Sequence, residues 1–408
     1  MKKILCSFIA TMLLATASFA QSNESLTLLL NEINADSLHQ TVVDLQNFGS
    51  RYALREGGNK QVAEYIKQRL ENYGITTEID SFHLEGYNWL VGNYSSWFYN
   101  VKGVLTSQNP VDDSLVIIGA HLDAISLNEY YQLQNLAPGA DDNASGVAVM
   151  VEIARVLHLH PAEFRRNIQF TGFDGEELGL FGGHHDAQMH LQNQSKIAVM
   201  LNNDMVSFQP DDDWRVTLHW YDNALDILDK AVATCRQYTN IDPFVPSAAE
   251  NTNSQASDSY AYATCGFKSV FAIEYTFSTS YHTEHDVADS NNYAYHADIT
   301  KYNLAMLADY ARMENTVSVT ERESSLSGTI YPNPASDKAM LQFSLDEACD
   351  ANLTITNMTG QVVNATPLHA LNAGPNLVEL DLSNLPAGIY ICRFLSDKSN
   401  WTTKMIVK

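Results

Sequence analysis

Positive charge is scarce in this chain. Its 408 residues hold 24 Lys and Arg against 48 Asp and Glu, a formal net charge of −24. Nucleic-acid binding needs clustered cations against phosphate, so the balance argues against that class of partner. Cysteine is scarce too, with five in all and none at zinc-finger spacing. Beyond the N-terminus no apolar run reaches the ~20 residues that span a membrane. Internal repeats and low-complexity tracts are also missing. What is present is 45% hydrophobic and 18% charged residues, enough to bury a core over most of the length. The acidic surface suits a soluble protein and attracts metal cations.

Met1-Lys-Lys-Ile-Leu leads into an apolar run to Phe19-Ala20, with Ser18 and Ala20 in the small-x-small pattern. This reads as a secretory signal peptide, residues 1–20, cut after Ala20. Cys235, Cys265, Cys349 and Cys392 then remain. Their even number permits disulfides in an exported chain. Pairing Cys235 with Cys265 and Cys349 with Cys392 would respect the domains, and the sequence leaves that pairing open.

Helical periodicity runs over Ser25–Asn31, Ser37–Phe48 and Asn59–Tyr73, the last with Gly74 as its stop. Strand patterns follow at Ile75–Phe82, Trp97–Leu105 and Ser114–Gly119. Further strands are expected at Asn167–Phe173, Lys196–Asn202, Trp214–Trp220 and Phe267–Tyr275, and helices at Ala144–Leu157, Ala224–Tyr238 and Ala297–Met313. Ile241–Ser259 reads as a long functional loop. The alternation predicts an α/β fold: a mixed, mostly parallel central sheet with helices on both faces. After a polar linker at residues 316–327, strand patterns at Ala339–Phe343, Ala351–Ile355, Asn376–Leu380 and Gly388–Phe394 predict a small C-terminal β-sandwich over 328–408.

Five polar features fall at the ends of the apolar segments. His121 and Asp123 close one strand in Gly119-Ala-His121-Leu-Asp123. Their spacing puts both on one side of extended backbone, and a ligating imidazole gives its second N–H to such a carboxylate. Asp141-Asp142-Asn143 precedes a helix, where carboxylates also serve as caps. Glu176-Glu177 follows the Asn167–Phe173 strand; in extended backbone the two would point apart, one free to bind a cation and the other to move a proton. Asp204 ends another strand, and His282 lies in a polar turn after the last. Parallel strands place their C-terminal ends on one edge. His121, Asp142, Glu177, Asp204 and His282 are the donor types and number for two zinc ions, with Glu176 left as general base.

In order, local sequence and approximate spacing this set resembles the M28 family of zinc aminopeptidases, over about 260 residues from Arg51 to Met313. The resemblance implies a catalytic domain over 21–315 with the zinc exopeptidase fold and two zincs. Asp142 would bridge them, His121 and Glu177 would belong to different ions, Asp204 would join one and His282 the other. Asp123 would support His121. Ser257-Asp258 resembles the family's Ser-Asp-His segment with Ser259 in place of the His. Ile330-Tyr-Pro-Asn-Pro-Ala-Ser336, Leu385-Pro-Ala-Gly-Ile-Tyr390 and the basic terminus Lys404–Lys408 resemble the type A sorting domain of the type IX secretion system of Bacteroidota. That implies engagement of the secretion machinery and a secreted or surface location reached through the periplasm. A carbohydrate-binding or adhesive sandwich is the alternative for this tail.

The expected activity is hydrolysis of N-terminal residues from peptides with a free N-terminus, by a zinc-bound water with Glu176 as general base. Three alternatives stay open: a glutaminyl cyclase of the same fold, a carboxypeptidase-type relative, and an inactive metal-binding surface or adhesion protein. The walls of the substrate pocket are expected from Tyr130–Leu136 and Asp242–Ser257.

Overall fold

A computed structural model describes residues 25–210, 214–314, 328–345, 347–357, 362–396 and 400–408. The expected signal peptide and the linker at 316–327 lie outside these residues. Two compact units divide the chain, Met1–Thr316 and Val317–Lys408.

The first unit opens with helices α1 (residues 25–31), α2 (Ala35–Gln46) and α3 (Lys60–Asn72). Asn34 starts α2 by accepting the Ser37 amide hydrogen at 3.0 Å. Helix α3 buries Val62, Ala63, Ile66 and Leu70; burial of each larger side chain contributes roughly 1.5–3 kcal/mol. Gly74, at φ 77°, ends this helix in a conformation that a Cβ would strain. Strands β1 (Thr76–Asn88) and β2 (Gly92–Leu105) then form one long antiparallel hairpin. Both exceed the expected strands, because Glu85–Asn93 carries its apolar residues as the run Trp89-Leu-Val91 between glycines and not in the alternation that marks a half-buried strand.

An eight-stranded sheet follows the order β1-β2-β4-β3-β5-β8-β6-β7. Its middle is β4 (Asn167–Phe173), β3 (Ser114–His121), β5 (Lys196–Asn203) and β8 (Ser269–Glu274), all parallel. Strands β6 (Arg215–His219) and β7 (Asp242–Phe244) complete one edge. Side chains alternate between two cores. Val116, Ile118 and Ala120 of β3 join the large cluster formed with α1–α3, α4 (Gly146–Leu159), α6 (Leu225–Tyr238) and α8 (Tyr293–Tyr310). Ile117 points the other way, onto Ala187 of α5 (Phe181–Gln192) and Tyr262 of α7 (Ser259–Thr264). The sheet is therefore mixed and mostly parallel at its centre, with helices on both faces.

Ile241–Ser259 is not the plain loop expected. It contains β7 and a 3-10 turn at Asn251–Gln255, and α7 begins at its end. Polar composition hid these elements, which are held by tertiary contacts such as the Trp220 indole to Pro246 O at 3.0 Å. All four described cysteines are free thiols, so neither disulfide considered above is formed.

The second unit packs a three-stranded sheet against a four-stranded one. The first has the order β13-β10-β9 and the second β12-β11-β14-β15. Leu341 and Phe343 of β10 (Lys338–Leu345) share a core with Leu353 of β11 (Cys349–Asn357) and Phe394 of β14 (Gly388–Leu395). The rings of Phe343 and Phe394 are 4.9 Å apart. Strands β9 (Thr329–Tyr331), β12 (Val362–Leu371) and β15 (Asn400–Val407) were not anticipated; β13 spans Gly374–Asp381.

Candidate metal centre

The C-terminal ends of the four parallel strands meet on one edge, and the centre is built there. His121 is the last residue of β3, Asp204 follows β5 directly, and Glu176 and Glu177 follow β4. His282 lies in the loop after β8. Asp142 comes from the kinked segment Ala140–Ser145 before α4, where its own backbone is extended. Gly146 lets α4 start against the end of β5: a Cβ there would collide with the Asn203 carbonyl oxygen.

Asp142 divides its carboxylate between two histidines. Its Oδ1 is 3.1 Å from His121 Nε2, and its Oδ2 is 3.0 Å from His282 Nε2. Each imidazole then meets a second carboxylate. His121 Nε2 is 3.2 Å from Asp204 Oδ1, and His282 Nε2 is 2.8 Å from Glu177 Oε2. The donor atoms of His121, Glu176 and Asp204 also lie within 4.8 Å of one another. All five residues named from the sequence as ligands are thus brought together, with Glu176 beside them.

Glu176 and Glu177 do not diverge through extended backbone, as expected from the sequence. They occupy a 3-10 turn, Glu176–Leu178. Asp123 holds that turn: its Oδ1 accepts the Glu176 amide hydrogen at 3.1 Å and its Oδ2 that of Glu177 at 3.3 Å. Asp123 also stands 3.5 Å from His121 Nδ1. The Asp123 carboxylate therefore fixes the glutamate pair, and the hydrogen-bond contact of His121 Nδ1 is with the Asp123 backbone carbonyl oxygen at 3.2 Å.

Charge here is expensive. Burial pulls the His121 imidazole down, yet Asp204 and Glu176 hold it well above its usual range. His282 behaves alike: against burial, Glu177 and Asp142 raise it to about 11. Burial and then Asp142 push Glu177 up to about 7. Burial also drives Glu176 well above the usual carboxylate range, with His121 opposing and Asp204 adding. Asp142 is drawn low, despite burial, by its bonds with His121 and His282.

The donor set fits a pair of divalent cations. Two imidazole nitrogens and three carboxylates converge, and Asp142 is shared. The contacts at His282 Nε2 are short but lack the direction of hydrogen bonds, so this nitrogen is unpartnered, as is Glu177 Oε1. Orphaned buried polar atoms are costly, and a cation between them satisfies both.

Several supports were given no role from the sequence. Asp286 accepts the Asp141 and Asp142 amide hydrogens at 2.8 and 3.0 Å; burial and Asp141 push it up to about 8. Its position four residues after His282 was the available clue. Arg51, fully buried, donates to the carbonyls of Leu122, Pro138 and Gly139. It ties the segment after β3 to the one before Asp142. Ser257 Oγ donates to Asp204 Oδ2 at 2.7 Å. Ser259, where the resemblance expects a His, instead bonds Tyr221 at 2.9 Å. Asp141 accepts from Ser207 and Phe208, locking the chain after Asp204.

A cavity of about 170 Å³ opens on the centre. Met205, Phe271, Ile273, Phe277 and Tyr281 form its apolar wall. Of the two loops expected to shape it, Asp242–Ser257 contributes Asn253 and Ala256, whereas Tyr130–Leu136 does not line it.

Comparison with known proteins adds the following. A family profile described as "Peptidase family M28" matches residues 100–309, and one described as "Secretion system C-terminal sorting domain" matches 329–408. A "Probable zinc metalloprotease" of Pyrenophora teres f. teres is 32% identical over 200 residues, covering 45% of this chain and 41% of that protein. The chain thus spans about two fifths of the length of that relative. "Leucine aminopeptidase 1" of the same fungus is 25% identical over 287 residues, 66% of this chain and 68% of the other. The Legionella pneumophila aminopeptidase structure superposes with a TM-score of 0.58 at 22% identity, over 71% of this chain and 75% of that one. Porphyromonas gingivalis glutaminyl cyclase gives 0.55 at 17%, over 68% and 98%. These two likenesses establish the fold.

Proposed function

The chain belongs to peptidase family M28, and from that premise we propose that it is an exported zinc aminopeptidase whose first unit removes N-terminal residues from peptides. The carrying observation is the division of Asp142 between two imidazole–carboxylate pairs. One metal position is formed by His121, Asp142 and Asp204, the other by His282, Asp142 and Glu177. Each offers three protein donors, the number a catalytic zinc takes while keeping a position open. Zinc is the metal named for the fungal relative.

Bound zinc supplies Lewis-acid charge that polarises the scissile carbonyl and makes water acidic near neutral pH. The remaining chemistry belongs to the chain. Glu176 is buried beside the His121–Asp204 pair and pairs with neither. It takes the proton from the attacking water and passes it to the leaving amine. The apolar wall of Met205, Phe271, Ile273 and Phe277 receives the side chain of the first residue and favours a large apolar one. The carboxylate cluster attracts the free α-ammonium group, which distinguishes a chain end from a chain interior.

The second unit serves export. Its match to a secretion sorting domain supports engagement of the type IX machinery and a secreted or surface location. Among the described residues no helix is long and apolar enough to cross a membrane. We assign catalysis to 21–315, a linker to 316–327 and sorting to 328–408.

The test is mass spectrometry of a peptide mixture, part of it starting with Gln, incubated with zinc-loaded protein. Stepwise loss of first residues is expected. Glu176→Gln should lower turnover at least ~10³-fold, within the range of general acid–base catalysis, with two zincs retained. Loss of ammonia from Gln-started peptides alone would move the protein to the cyclase activity.

A further inference from the structure

Two pairs of exposed aromatic side chains, one at the end of the β1–β2 hairpin and one on a loop turn, stand on segments bonded to the centre and outside its cavity. Tyr87 and Trp89, each 73% exposed, flank the tip of the β1–β2 hairpin. Tyr130 and Tyr131, 72% and 71% exposed, occupy the turn closed by the Leu127–Leu133 bridge. One exposed ring is ordinary. Here the backbone on either side of the rings is pinned while the rings stay uncovered.

Asn88 Nδ2 donates to Leu178 O at 2.8 Å, and its Oδ1 accepts the Leu90 amide hydrogen at 2.8 Å. Leu90 packs on the small core that contains Leu178, the residue after Glu177. At the other turn the Leu127 amide donates to His282 O at 2.7 Å. Asn128 Oδ1 accepts from the Tyr130 and Gln132 amides at 2.9 and 3.0 Å. One turn is tied next to Glu177 and the other to His282 itself.

We propose that these two turns bind the part of a peptide substrate that lies beyond its first residue. The inference rests on the aminopeptidase reading. The 170 Å³ cavity has room for about one residue. The rest of an extended peptide, ~3.3–3.6 Å per residue, must leave across the rim. Rings on pinned turns lose little freedom when they are covered, so contact with them yields net affinity. They offer apolar faces, each with a single polar atom at or near its edge. The rim therefore favours apolar or aromatic residues at the second and third substrate positions, without strict sequence choice.

The experiment compares kcat/KM for the tetrapeptide Leu-Phe-Ala-Ala with that for leucyl para-nitroanilide, using the zinc-loaded full chain. In Trp89→Ser, and in the double variant Tyr130→Ser/Tyr131→Ser, the peptide-to-anilide ratio should fall about tenfold, the scale of one or two lost aromatic contacts. Trp89→Phe should keep the ratio within about twofold by the same contact argument. An unchanged ratio, or an equal fall for both substrates, overturns the rim. If the unaltered chain cleaves neither substrate, the aminopeptidase reading fails and the rim with it; if it cleaves both and the ratio does not move, the rim alone fails.

Discussion

The ring of Tyr281 lies flat on the imidazole of His282, with centroids 3.7 Å apart and planes 22° from parallel. His282 sits in a loop at φ 54°, a region sparsely used by residues with a Cβ. No strand fixes its ring, so the stack sets the plane in which Nε2 meets Asp142 and Glu177. Tyr281→Ala should weaken zinc at that position by about 10–100-fold, the usual cost of losing a ligand's support. Tyr281→Phe keeps the stack and should keep the metal. Zinc per chain, measured against buffered free zinc, decides this; wild-type affinity in the alanine variant would remove the stack from metal binding.

In the proposed arrangement Asp142 serves both positions, so its loss should not be confined to one. Asp142→Ala is expected to bind less than one zinc per chain, against an expected two for the unaltered protein. His282→Ala, by contrast, should retain the metal held by His121 and Asp204. Equal stoichiometry in the two variants would falsify the shared-carboxylate arrangement. Both can be read by elemental analysis without an activity assay.

Asp123 holds two amides of the glutamate turn, and an amide side chain can accept only one of them. In Asp123→Asn the new NH₂ faces a backbone N–H, and the Glu176–Leu178 turn should shift. Turnover should fall about 10–100-fold, while zinc stays bound because no donor was removed. A variant that loses zinc as readily as His121→Ala would instead place Asp123 among the ligands.

Part of this centre was legible because polar residues after apolar strands have to emerge at a sheet edge; Asp142 and His282, which follow no strand directly, and the roles of all five were named through the resemblance to the M28 family. His121 directly follows the run Val116–Ala120, and Asp204 comes two asparagines after Val199–Leu201. The mixed α/β architecture was legible from the same apolar runs. What could not be read depends on contacts remote in the chain. Glu176 and Glu177 form a 3-10 turn because Asp123, more than fifty residues earlier, takes both amides. Arg51 is held in the interior by four carbonyls that converge on it, and nothing local distinguishes it from a surface arginine. The far end of the β1–β2 hairpin is largely exposed and lacks a regular apolar alternation, and pairing with its partner strand makes it a strand.

His296 gives the fold a pH dependence separate from the centre. It is fully buried in α8, one ring nitrogen 3.0 Å from Ser145 O and Nδ1 without a partner. Burial lowers its pKa from 6.5 to about 4. The unfolded chain therefore binds the proton first, and stability falls as pH drops from about 6.5 toward about 4. At ~1.4 kcal/mol per pH unit the loss by pH 5 is about 2 kcal/mol. His296→Gln keeps a donor for Ser145 O but cannot titrate. The variant should be less stable than the unaltered protein at pH 7, and the gap should narrow by about 2 kcal/mol at pH 5. Urea unfolding followed by tryptophan fluorescence reports on the right unit, because Trp89, Trp97, Trp214 and Trp220 lie in the first and only Trp401 in the second. Titrating carboxylates of the metal centre contribute equally to both proteins and cancel in the difference. A gap that stays constant between the two pH values would mean that His296 does not keep its neutral form in the fold.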